Sequence, residues 1–154
     1  MVIDPGLHIM ERIMNQWNLE KGSKTYTVNG KCELTFDPTD PDFVETLCNG
    51  FAMMEKVCRN SAAVYHKNGQ KVFDLLRERD RKCRAIIDDV FGKGTSGRLF
   101  GPSDVCASAD GLPLWANFFL CIFDEVAQAS ENEQRQAFPR VLYYLEKYAK
   151  TKRQ

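Results

Sequence analysis

A chain of 154 residues is long enough to form one self-sufficient domain, burying about two thirds of its unfolded surface without a metal or disulfide staple. Its 21 basic and 21 acidic residues cancel, which excludes a strong overall field drawing it to nucleic acid or an anionic membrane. The longest apolar stretch, LPLWANFFLCIF, falls far short of the ~18 residues of a bilayer span, and the opening MVIDPGLHIMERIMNQW lacks the basic region and apolar core of a secretory signal. The expectation is a soluble, cytoplasmic protein with no membrane contact.

In chain order, Asp4-Pro5 opens a helix, since Asp caps well and Pro fits the first helical position. Leu7, Met10, Ile13, Met14 and Trp17 recur at helical spacing until Gly22, giving an N-terminal helical arm over 1–24 that docks on the body or on another subunit. TYTVNGKCELTF then reads as a β-hairpin over about 25–36, with Asn29-Gly30 as a type I′ pair and Tyr26, Val28, Cys32, Leu34 and Phe36 alternating along the strands. A lone hairpin is marginal in water, so helices or strands of another copy must cover it. In DPTDPDFVETL, Asp40 caps a helix with Pro41 in its first turn, and capping accounts for the nearby carboxylates better than calcium does. Leu47, Phe51, Met54, Cys58, Ala62 and Tyr65 form that helix's apolar stripe, and Asn68-Gly69 punctuates it.

The next helix, about 70–91, buries Phe73, Leu76, Cys83, Ile87 and Val90. Its other side carries Arg77, Arg79, Arg81, Lys82 and Arg84, nearly neutralised by Glu78, Asp80, Asp88 and Asp89, which reads as a solvated face laced with ion pairs. A short helix is expected between Ser103 and Gly111. Apolar residues from Leu114 to Val126 cover nearly the whole circumference of the following helix, which is therefore either central or set against a partner. Ser130 and Glu133 form a capping box for a last helix, which Pro139 kinks or restarts. Val141, Leu142, Leu145 and Tyr148 supply its stripe, and 150–154 form a frayed basic tail.

Directly after the 70–91 helix, Gly92, Gly94 and Gly97 spell G-x-G-x-x-G. A dinucleotide site needs a strand entering such a turn and a helix leaving it, and here the charged, helically periodic RKCRAIIDDVF enters. The turn therefore reads as structural: Gly92 and Gly94 end one helix, Thr95 or Ser96 caps a short one, and Gly101-Pro102 ends that. The six cysteines (Cys32, Cys48, Cys58, Cys83, Cys106 and Cys121) never form C-x-x-C, and only His8 and His66 could join them, so the spacing points to no metal site. No nucleophile, base or carboxylate pair has a catalytic signature, and neither catalysis nor a cofactor is expected.

The order YTVNGKCELTFDPTDPDF, two helices, then CRAIIDDVFGKGTSGRLFG resembles, over about residues 25–125, small tail assembly chaperones encoded by phages and prophages of Gram-positive bacteria. The resemblance implies a non-enzymatic role: coating a tape measure protein, keeping its long apolar helix soluble, and self-associating. Trp115, Phe118, Phe119, Ile122, Phe123, Tyr26 and Val28 are then the partner-binding candidates, and Gly92, Gly94, Gly97 and Gly101 the structural turn. The alternative is a small nucleic-acid-binding or regulatory protein using the stripe 77–84 and the tail 147–153, although the charge balance makes nucleic acid the weaker partner class. The fold expected is a single α+β domain, mainly α, with the hairpin packed on four or five helices.

Overall fold

A computed structural model describes residues 22–30, 32–65, 72–132 and 138–153. The N-terminal helical arm, His8, His66, Asn68-Gly69 and Glu133 lie outside these residues. Within them the chain is mainly α with a small antiparallel hairpin: strands β1 (Lys24–Val28) and β2 (Cys32–Phe36), then helices α1 (Pro41–Tyr65), α2 (Val72–Phe91) and α3 (Thr95–Phe100). Two short strands follow, β3 (Ser108–Ala109) and β4 (Leu112–Pro113), before helices α4 (Leu114–Asn132) and α5 (Pro139–Arg153). No described helix is long and apolar enough to cross a membrane.

The hairpin forms where expected, but its connection is one residue longer. Val28 pairs with Cys32 and Tyr26 with Leu34, so three residues rather than two separate the paired strand ends. Asn29 and Gly30 still take positive φ, 55° and 66°. A two-residue loop would set Tyr26 and Val28 on the same face as Glu33 and Thr35; the extra residue puts Cys32, Leu34 and Phe36 there instead. On the opposite face Thr25 and Thr35 share a hydroxyl hydrogen bond of 2.8 Å.

Asp40 caps α1 as its sequence demands, its carboxylate accepting the Asp42 N–H at 3.0 Å. Asp37 accepts from both the N–H and hydroxyl of Thr39, which folds the acidic junction into a turn. Val44, Leu47, Phe51 and Met54 then form the buried stripe. Helix α1 packs along α2 and also meets α4, which pairs with α5. At the crossing of α1 and α2, a Cβ on Gly50 would come within 2.6 Å of a Val90 methyl, so glycine sets how closely the two helices approach. Phe51 is the hub of the core, with the rings of Trp115, Phe119, Phe123, Tyr144 and Tyr148 around it at centroid distances of 4.5–5.7 Å.

Four further expectations fail, each for a local reason. Phe73 is 69% exposed, because Cys83 is preceded three turns earlier by Val72, which leaves Phe73 about 100° off the buried stripe. Leu142 is likewise exposed and Tyr144 buried in its place, since 141, 144, 145 and 148 share one face of α5. Residues 103–111 form no helix; Asp110 and Gly111, at φ 56° and 82°, turn a small hairpin in which Ala109 pairs with Leu112. Ser130 is buried inside α4 rather than capping the next helix, and Pro139 starts α5 afresh.

Candidate functional site

The apolar face of the hairpin does not close fully on α4. Between them runs a groove of about 420 Å3, lined by Tyr26, Val28, Leu99, Phe118 and Cys121, with Ile122 reaching it from the core side. Stacked rings build its wall: Tyr26 on Phe36 at 4.8 Å and Phe36 on Phe43 at 5.2 Å. Phe43 and Phe118 meet either side of Phe91, at 5.9 and 5.1 Å, and Phe100 backs Phe118 at 5.8 Å. The Tyr26 hydroxyl donates to Glu125 of α4 at 3.2 Å, fastening the strand to the helix. Burial, the Glu125 charge and this hydrogen bond push the Tyr26 phenol up to about 12.

Four of the seven partner-binding candidates therefore come together here: Tyr26, Val28, Phe118 and Ile122. The other three do not. Trp115, Phe119 and Phe123 do not line the groove; α1 and α5 cover the face of α4 that carries them, and each is at most 3% exposed, as is Ile122. The nearly all-apolar circumference of α4 is that of a central helix, with only the strip near Phe118 and Cys121 left to the groove.

The glycine turn is built around a carboxylate. Gly92 ends α2 at φ 116°, its N–H bonded to the Asp88 carbonyl at 2.8 Å, and Gly94 precedes α3 at φ 87°. Neither Thr95 nor Ser96 caps α3; both are buried in its first turn. The Asp88 side chain accepts the Ser96 N–H at 2.8 Å, occupying a helix-start donor that a bound phosphate would need. Gly101, at φ 55°, closes α3 by donating to the Gly97 carbonyl at 3.0 Å. Gly97 differs from the other three: it is helical, and a Cβ there would meet nothing within 4 Å.

The arginines of α2 are engaged with the fold. Arg77 pairs with Asp74 and Arg81 with Glu78, each one turn away. Asp80 accepts from Arg84 Nε at 2.9 Å, while Arg84 Nη2 donates to the carbonyls of Gly101 and Ser103 at 2.7 and 2.6 Å. Arg79 lies 3.9 Å from Asp104. In the C-terminal stretch, Lys147 and the Tyr148 hydroxyl both reach Glu55 of α1, Lys147 at 2.7 Å.

A second constellation could not be seen in the spacing of the sequence. Cys58 of α1, Cys83 of α2 and Cys106 of the loop before β3 place their sulfurs within 4.8 Å of one another. The loop is held by the Val105 N–H donating to Asp80 at 2.8 Å and by the Trp115 N–H donating to the Val105 carbonyl at 3.0 Å. Hydrogen bonds from Cys106 and Cys83, with the Arg79 charge assisting, hold the Cys58 thiol well below the ordinary range. Hydrogen bonding to Cys106 and Cys58, with burial, raises that of Cys83. Counting for C-x-x-C finds ligands on one turn and misses sulfurs delivered by three separate elements.

Residues 30–154 match a family of unknown function, DUF6673, and the chain belongs to that family. No curated protein and no solved structure matches.

Proposed function

We propose that this member of DUF6673 is a non-catalytic binding protein of phage or prophage tail assembly, a chaperone that holds an apolar helix of a tape-measure-like partner. The observation that carries the reading is the groove between the hairpin and α4, where Tyr26, Val28 and Phe118 line a channel open to solvent and bounded by apolar side chains. Grooves of this kind accept one face of an amphipathic helix, read as anchors at helical spacing. Self-association belongs to the same proposal, since β1 and β2 pair only with each other among the described residues and each leaves an outer edge for another copy.

Co-expression with a long coiled-coil tape measure protein tests the reading. The expected result is increased soluble recovery of the partner and its co-purification, both lost in Cys121→Asp, which charges the groove at an exposed position, and in Val28→Asp at the groove's half-buried edge, with folding of each variant checked by circular dichroism. Unchanged solubility and recovery of the partner with the unaltered chain would overturn it.

A further inference from the structure

The sulfurs of Cys83 and Cys106 stand 3.8 Å apart, and Cys58 completes a triangle with no side above 4.8 Å. An ion holding thiolates at about 2.3 Å sets its sulfurs roughly 3.8–4.0 Å from one another, so the triangle need contract by less than about 1 Å. Two further observations point to charge at this place. The buried Trp115 indole N–H has no hydrogen-bond partner within normal distance, and Trp115 and Cys58 line the same cleft. The Arg79 guanidinium stands 3.9 Å from Asp104, two residues before Cys106. Three thiols serving only as apolar filling would call for neither. A cleft lined by Glu55, Cys58, Trp115, Lys147 and Tyr148 leads from solvent to the Cys58 side, giving a path of entry.

We propose that Cys58, Cys83 and Cys106 form a three-thiolate site for one divalent, thiophilic cation of the zinc class, with its fourth coordination position opening onto the cleft beside Trp115. Soft sulfur ligands select such ions over magnesium or calcium. Three thiolates and a dication leave one negative charge; a monovalent soft ion would leave two in a largely buried site, where uncompensated charge is costly. Entry exchanges each remaining S–H proton for a sulfur–metal bond, the protons pass to solvent, and no electron moves. Uptake therefore strengthens as pH rises. The bound ion would tie α1, α2 and the loop before β3 at one point.

The full chain, kept reduced with a phosphine and free of oxygen, is titrated with Zn2+ alone against a chromophoric chelator, and separately with Co2+. One ion per chain is expected, with proton release, a rise in Tm, and for Co2+ the strong visible bands and sulfur-to-metal charge transfer of thiolate coordination. Cys58→Ser and Cys106→Ser should each weaken uptake by on the order of 100-fold, while Cys121→Ser, at an exposed thiol, leaves it unchanged. Cys83 is wholly buried, and its variant can simply unfold, so the decision rests on the other two, with folding checked by circular dichroism. The proposal is overturned if the folded, reduced chain takes up no Zn2+ or Co2+, if uptake survives both substitutions, or if Cu(I) alone binds. A Cys83–Cys106 disulfide forming in air from a chain that holds no metal when reduced would overturn it equally.

Discussion

At the scale of single residues, the glycine turn shows how one motif divides into positions that need glycine and one that does not. Gly94 sits at φ 87°, where a side chain costs roughly 1–2 kcal/mol, so Gly94→Ala should lower the urea midpoint by about that much stability. Gly97 is helical with open space around it, and Gly97→Ala should be neutral or stabilising by up to about 1 kcal/mol. Equal losses from both substitutions would contradict this division. Tyr26 carries a pH signature of its own. Its phenol is raised from 10.0 to about 12 by burial and Glu125, so the fold favours the neutral form. That contribution is complete below pH 10.0 and is lost as pH climbs toward 12. Tyr26→Phe should flatten the alkaline part of the stability profile, measured by denaturation between these limits.

Among the elements, what could be read from the sequence was whatever local chemistry decides. Asp40-Pro41 starts α1, Asn29-Gly30 turns the hairpin and Gly92 stops α2, because capping and positive φ act over a few residues. The Asp110-Gly111 turn carried the same signal, but its strands are two residues long and show no alternation to read. Phase errors of one residue misplaced Phe73 and Leu142, where neighbouring apolar side chains compete for one stripe and only packing chooses. The approach of α1 to α2 is a tertiary fact of this kind. Gly50→Ala drives a methyl toward Val90 and should cost about 1–3 kcal/mol despite the better helix propensity of alanine. Combining it with Val90→Ala should recover part of the loss, and strict additivity in the double-mutant cycle would refute the contact. Asp80 ties α2 to the loop before β3 through the Val105 N–H and steadies Arg84, which holds the Gly101 and Ser103 carbonyls. Asp80→Ala should cost about 2–3 kcal/mol by stranding a buried donor and releasing Arg84 from the loop it holds.

For the molecule as a whole, the candidate groove was half visible beforehand, and the reason is geometric. Hydropathy marked α4 as apolar all round, but which of its faces meets solvent depends on where α1 and α5 lie. Phe118 consequently borders the groove while Phe119, its neighbour, is wholly buried. The thiol triangle was invisible for the same reason, since three elements must first pack before its sulfurs meet. Light scattering addresses assembly: association that grows with concentration and weakens in Val28→Asp is expected if the hairpin pairs with another copy, and a strict monomer at high concentration would remove that part of the proposal.

The hairpin connection has a consequence for how this family can vary. The alignment of its two apolar rows depends on an odd number of residues between Val28 and Cys32, so the loop stores parity rather than shape. Substitutions there should be tolerated widely, and insertion of two residues should keep both rows aligned. Loss of one residue between Gly30 and Cys32 should turn Leu34 and Phe36 outward and strip the groove of its wall. Related chains are therefore expected to differ at this loop in steps of two.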